Sequence, residues 1–236
     1  MKAPLEASLV YEGQYQSLGM RAQRHYPNEA LMQFFGRYCF DFDRPTRERM
    51  RVLELGCGTG ANLWMVAKEN FSAYGIDVAP SGLELCKQKL VEWQVRATLI
   101  QADMRSLPFR DQWCDVIFDV VSMQCLDLAG HRDAYREVAR CLKPRGLFFQ
   151  YHSGSESYSF KYGGGSMIDE ATVDDIRAED APLRGNGMMS FLTPLHLAEL
   201  LAESGLAIKE LETVDRTYRS RAIRMQYLAV VCGRAY

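Results

Sequence analysis

From residue 50 onward the apolar residues alternate between two rhythms. Short, nearly unbroken runs recur: "RVLEL" (51–55), "FSAYGID" (71–77), "ATLIQAD" (97–103), "CDVIFDVV" (114–121) and "GLFFQYH" (146–152). Such short apolar runs, the first followed by Gly and the second and third ended by Asp, predict buried strands. Between them the spacing turns helical. "ANLWMVAKEN" (61–70) is one such segment. "PSGLELCKQKLVEW" (80–93) puts Leu83, Cys86 and Leu90 on one face and Pro80 in the first turn. "GHRDAYREVARCL" (130–142) is a third, stopped by "KPRG". The alternation predicts an α/β fold, a doubly wound sheet covered by helices on both faces.

The flanks follow other rules. "TPLHLAELLAESG" (193–205) predicts a helix with Thr193 as N-cap, Pro194 at the first helical position and Gly205 as its stop. "LAIKELETVDR" and "RMQYLAVVCGRA" read as two closing strands near enough to pair antiparallel. Upstream, "HYPNEALMQFFGRYCF" (25–40) predicts a helix capped by Asn28, with Leu31, Phe34, Phe35 and Tyr38 as its apolar face. Residues 1–48 thus read as an N-terminal cap on a single domain spanning 1–236. Residues 152–193 are rich in glycine and acid and have no period; an insert this long predicts a lid on the substrate side.

Composition narrows the function. The 236 residues carry 28 Lys and Arg against 30 Asp and Glu, a net charge of −2, which is no footprint for a nucleic-acid binder. The seven cysteines include no CxxC pair and most sit in apolar runs, which predicts reduced thiols acting as small core residues in a cytoplasmic protein. "MKAPLEASLVYEG" lacks the apolar stretch of a signal peptide, and no run approaches the ~20 residues of a membrane span.

The chemistry gathers around "RVLELGCGTGANL" (51–63). Gly56, Gly58 and Gly60 follow a strand and open a helix. There the backbone can take positive φ and let a ligand approach, beyond the strand ends of a doubly wound sheet. Gly56, Gly58 and Ala61 loosely satisfy the dinucleotide fingerprint, so a nicotinamide-dependent oxidoreductase is one reading. Glu54 opposes it: in E-x-G-x-G-x-G its carboxylate would repel a pyrophosphate and suits a ligand with a cationic end. Asp77 ends the second strand, placed to accept ribose hydroxyls. Asp103 ends the third, where it either accepts from an adenine amino group or caps the following turn.

Four segments in order, "VLELGCGTG", "YGIDVAPSGLELCK", "IQADMRSLPFRDQWCDVIFDV" and "EVARCLKPRGLF", resemble the class I S-adenosylmethionine-dependent methyltransferases over about residues 50 to 150; Arg145 replaces one glycine of the usual LKPGG turn. The resemblance implies a Rossmann-like seven-stranded sheet whose last strand is antiparallel, and S-adenosylmethionine as cofactor. It implies cofactor contacts by Glu54, Gly56, Cys57, Gly58, Gly60, Asp77, Val78, Asp103 and Met104, with Asp119, Val120 and Val121 beneath the methyl group. A catalytically silent cofactor-binding partner or sensor protein is a third reading.

The acceptor is less legible. The fourth strand ends in "DVVSM" without a [D/N]-P-P-[Y/F] turn, no cysteine beside proline serves carbon-5 cytosine methylation, and no carboxylate set marks a magnesium-dependent enzyme. A small molecule and a metal-independent reaction follow as expectations, with no nucleic acid or membrane as partner; a homodimer is compatible. "DRTYRSRAIR" (215–224) concentrates Arg216, Arg219, Arg221 and Arg224. Arg219 and Arg221 are expected either to grip an anionic sugar or metabolite or to pair with acids of the insert. His152, ending the fifth strand, is the expected general base for a hydroxyl acceptor. Gln124, after the fourth strand, and Tyr15 and Tyr26, in the cap, are the remaining expected acceptor contacts; "RHYPNEAL" resembles bacterial methyltransferases with glycan-related substrates.

Overall fold

The computed structural model describes residues 6–235; the start of the N-terminal stretch read against a signal peptide lies outside them. The chain opens with α1 (Glu6–Leu18), a 3-10 turn (Gly19–Ala22), α2 (Glu29–Tyr38) and α3 (Arg44–Arg49). Then β1 (Arg51–Leu55), α4 (Leu63–Lys68), β2 (Ser72–Asp77), α5 (Pro80–Glu92), β3 (Thr98–Gln101) and β4 (Cys114–Val120) alternate as expected. A short 3-10 turn (Met123–Cys125), α6 (Leu128–Cys141) and β5 (Leu142–Ser153) follow. The insert holds α7 (Tyr158–Tyr162), β6 (Ser166–Met167), β7 (Thr172–Asp174) and β8 (Met189–Ser190). The chain closes with α8 (Pro194–Glu203), β9 (Leu206–Tyr218) and β10 (Ile223–Arg234).

Seven strands form one sheet in the order β3-β2-β1-β4-β5-β10-β9. All pairs are parallel except β10, antiparallel to both β5 and β9. Strand order reverses between β1 and β4, so a crevice opens beyond their carboxyl ends. On one face α6 buries Ala134, Tyr135, Val138 and Cys141 with Leu197, Leu200 and Leu201 of α8. On the other, Leu31, Phe34 and Phe35 of α2 pack with Val66 of α4 and Cys86 and Leu90 of α5. The caps are those the sequence predicts: Asn28 accepts from the Ala30 and Leu31 amides, and Thr193 from the His196 amide.

Three segments differ from the sequence reading. The cap is three helices, and α1 owes its place to contacts with the sheet domain more than to an apolar stripe. Its Glu12 carboxylate accepts from the Ser81 amide and hydroxyl at the start of α5. "KPRG" is extended at the start of β5, because Leu142 pairs with Cys114. The insert folds on a core of its own, with Val173, Ile176, Met189 and Phe191 packed on Cys125. All seven cysteines are buried and unpaired. Among the described residues, no helix is long and apolar enough to cross a membrane.

A buried polar chain ties the α6 face to the crevice floor. The Tyr135 hydroxyl donates to Gln150 Oε1 at 2.7 Å; the Gln150 amide reaches Asp119 at 3.5 Å; Asp119 accepts from the Ser122 and Met123 amides. Tyr135→Phe leaves Gln150 Oε1 without its donor in a dry site. The expected cost is about 1–3 kcal/mol of unfolding free energy, measured by urea denaturation.

Candidate active site

A cavity of about 300 Å³ occupies the crevice. Its floor is Glu54 at the end of β1, Gly56 and Cys57 of the loop, Asp77 and Val78 at the end of β2, and Val120 and Val121 at the end of β4. Asp103 and Met104 close one end. Tyr11, Gln14 and Tyr15 of α1 form the roof, with Gln23 and Arg24 beside them. The insert adds Asn186, whose side chain accepts from Gln14 at 3.2 Å.

The loop is shaped by backbone that only glycine adopts easily. Gly56, Gly58 and Gly60 lie at φ +61°, +48° and +78°. Only Gly56 faces the cavity. A Cβ on Gly58 would strike the Gln23 amide and the Tyr15 hydroxyl, and one on Gly60 the Cys86 sulfur. Those two glycines therefore act through close packing behind the wall, which corrects their reading as direct contacts. Asp119 is likewise corrected. It is fully buried below the floor, where its carboxylate holds the Ser122 turn.

The acids differ in state. Glu54 is buried; Oε1 accepts from Asn62 at 2.6 Å and Oε2 has no partner among the described residues. Burial pushes its carboxyl up to about 8, against the opposing pull of Asn62 and the Arg24 charge. Asp77 accepts from the Gly58 and Ala79 amides, each at 2.8 Å, and burial raises its carboxyl too. Asp103 lines the cavity while both its oxygens are held by Arg105, at 2.7–3.1 Å, and it caps the Arg105 amide at 2.8 Å. It thus takes the turn-capping alternative.

Arg24 and Asn62 were not singled out by the sequence. Asn62 lies two residues past the loop, and its Oδ1 accepts from Arg24 at 2.9 Å and from the Asn28 amide at 3.1 Å. This places a guanidinium in the wall near the unpaired Glu54 oxygen, so one end of the cavity offers both signs of charge. No spacing rule could reveal Arg24, because it comes from the cap, some thirty residues before the loop.

Of the expected acceptor contacts, Tyr15 and Gln124 line the cavity. Gln124 Oε1 accepts from Ser153 at 2.7 Å. Tyr26 does not line it: 65% exposed, it sits edge-on to the stacked Trp64 and Trp93 rings. His152 does not face the cavity either. The alternation of β5 turns it to the α6 side, fully buried, with Nδ1 2.9 Å from the Ser153 carbonyl and Nε2 3.3 Å from the Ser190 hydroxyl. Burial lowers it to about 4, so it is neutral and has no path to an acceptor. Arg219 and Arg221 stand exposed in the β9–β10 turn, away from the cavity, while Arg224 pairs with Asp215.

Comparisons agree with this architecture. Residues 52–146 match a family model described as a methyltransferase domain. The sterol 4-C-methyltransferase strm-1 of Caenorhabditis elegans is 27% identical over 106 residues, 44% of this chain and 31% of that protein. The cypemycin N-terminal methyltransferase of a Streptomyces species is 33% identical over 104 residues, 42% of this chain and 40% of that protein. The matched segment thus spans less than half of either curated relative. A SAM-dependent methyltransferase from Methanosarcina mazei superposes with a TM-score of 0.67 at 20% identity, covering 80% of this chain and 93% of that one. Residues 52–146 thus match a methyltransferase domain, and the strand order, the glycine loop and the acid-lined crevice share the fold of the Methanosarcina protein.

Proposed function

We propose that the protein transfers a methyl group from S-adenosylmethionine to a small-molecule acceptor. The observation that carries this reading is the unpaired Glu54 oxygen, buried in the cavity wall beside Arg24. A desolvated carboxylate with no protein partner calls for a cation, and a guanidinium near it suits the carboxylate of the same zwitterion. Glu54 and Arg24 would hold the amino-acid end over Gly56 and Cys57. Asp77 would accept from the ribose, and Val78, Asp103 and Met104 would flank the adenine. When bound, S-adenosylmethionine supplies an electrophilic methyl group on a sulfonium sulfur.

The rest of the chemistry belongs to the protein. Val120 and Val121 shape the floor, Gln124 offers its amide N–H groups to the acceptor, and Tyr11 and Tyr15 cover the site. The roof excludes water and fixes the approach of the nucleophile, so catalysis rests on proximity and desolvation. His152 is turned away from the cavity and does not serve as a general base. Cap, sheet and insert would act as one domain, and the unpaired cysteines favour a reducing compartment such as the cytoplasm.

Calorimetric titration tests this. S-adenosylhomocysteine should bind with micromolar affinity, NADH should not, and Asp77→Ala should abolish the first. Binding of NADH alone would replace the methyl-transfer reading with the oxidoreductase one. Arg24→Met should weaken S-adenosylhomocysteine by about tenfold, the scale of one charge-assisted hydrogen bond. It should leave 5′-methylthioadenosine, which lacks the amino-acid end, unchanged.

A further inference from the structure

A polar cluster lies on the sheet next to the cavity wall. In the β5–β10 and β9–β10 ladders, Ala229 stands opposite both Tyr151 and Glu212, Tyr227 opposite Val214, Met225 opposite Arg216, and Ile223 opposite Tyr218. Facing residues share one side of a sheet, as do alternate residues of a strand. Tyr151, Tyr227, Arg216 and Tyr218 therefore rise on the side covered by α2, whose Phe34 stacks on Phe149 at 5.0 Å. The Tyr151 and Tyr227 rings stack at 4.7 Å. One hydrogen bond joins the cluster to the cavity wall: the Val121 amide donates to the Tyr151 carbonyl at 2.9 Å. The Arg24 charge acts on both phenols.

Its groups are mostly donors. The Tyr151 side chain is 3% exposed, and its hydroxyl has no partner among the described residues. A buried hydroxyl left so costs about 1–3 kcal/mol unless something accepts from it. The Arg216 charge acts on that phenol against the burial that raises it, and Tyr218 stands near enough to Tyr227 to raise its phenol. The position of an anion is now taken by Glu29, which meets Arg216 once, at 3.3 Å, with 73% of its side chain exposed. A surface pair of this kind contributes little and is readily displaced.

We propose that Arg216, the Tyr151 hydroxyl and the Tyr218–Tyr227 pair form a phosphate-binding subsite, and that the methyl acceptor is a phosphate monoester whose nucleophile reaches past Val121 into the cavity. A planar guanidinium fork and phenols arriving from other directions match a tetrahedral oxyanion better than a flat carboxylate. The word acceptor here rests on the methyltransferase reading; the subsite does not.

Inorganic phosphate is the probe. It is titrated at constant ionic strength into the full chain, with and without saturating S-adenosylhomocysteine, and followed by arginine side-chain NMR and by Tm. Saturable binding is expected in both states. Arg216→Gln should weaken it at least about tenfold, and Arg219→Gln should not. Tyr151→Phe should weaken phosphate yet raise the Tm of the free protein, because it removes the unpaired hydroxyl. Acetate should not saturate. A phosphate response that is unsaturable, or equal in wild type and Arg216→Gln, overturns the subsite, and acetate binding as tightly as phosphate overturns the phosphate assignment. Should S-adenosylhomocysteine fail to bind the wild type, the methyltransferase reading falls, while the phosphate arm without it still decides the subsite.

Discussion

Glu54→Gln will weaken S-adenosylhomocysteine binding by about 10- to 100-fold, the worth of a hydrogen bond to a charged group in a dry site. The shape barely changes; what is lost is the negative charge that meets the ligand's ammonium. Its pH dependence is the sharper test. With its carboxyl at about 8, Glu54 is protonated in the empty site at neutral pH. An ammonium bound against it favours the ionised form, so binding should release a proton. Affinity should therefore climb by up to about tenfold per pH unit below 8 and level off above it. Titrations at pH 6, 7 and 8, in buffers of different ionisation enthalpy, read both the slope and the proton. In Glu54→Gln both should vanish. A flat profile in the wild type would mean that no cation sits at Glu54.

The same shift has a consequence for the ligand-free protein. The folded-state carboxyl lies above its ordinary value of 4.5, so the native state holds the proton more tightly than the unfolded chain. Glu54 therefore lowers stability as pH rises from about 4.5 to 8, and the full penalty is present above 8. The Tm of Glu54→Gln should exceed that of the wild type at pH 9, and the gap should close toward pH 5. A variant that loses ligand affinity while gaining stability in alkali is the mark of a charge kept for binding.

Gly56→Ala will damage stability and binding together. Gly56 sits at φ +61°, where an L side chain costs about 1–2 kcal/mol. Its Cβ would also lie 2.3 Å from Ser122 Cβ and 2.5 Å from Ser122 Oγ. Ser122 has little room to yield: its hydroxyl donates to the Leu55 carbonyl at 2.7 Å and is held by Asp119. Overpacking adds about 1–3 kcal/mol. At about 2–4 °C per kcal/mol for a chain of this size, Tm should fall by roughly 5–15 °C. Gly205→Ala is the control. It has a similar φ, +77°, with nothing within 4 Å of the added Cβ, so it should show the backbone cost alone. The difference in Tm between the two variants, measured by calorimetry, isolates the clash. Affinity for S-adenosylhomocysteine should fall only in Gly56→Ala, because Gly56 and Ser122 both face the cavity.

The amino-acid order by itself determined the sheet, its helices and the crevice floor. Those features are local: a strand is an apolar run, a helix start is Asn28 or Thr193, and the loop is three glycines between a strand and a helix. Glu54, Asp77 and Asp103 could be placed because each ends a run that must be a strand, and strand ends in this topology converge on one crevice. The tertiary structure decided what depends on facing. Whether His152 or Tyr151 looks toward the cap is a matter of one residue of alternation in β5, and the sequence reading took the wrong one. Gly58, Gly60 and Asp119 belong to the loop and floor, but only packing shows that they stand behind the wall. The arginines at 219 and 221 are dense in sequence yet sit at the tip of a projecting hairpin. Arg24, Asn62 and Arg216 come from segments far apart along the chain, and no local pattern joins them. Arg24 and the Asn28 amide meet Asn62, and Glu29 at the start of α2 meets Arg216, only once the cap docks on the sheet domain.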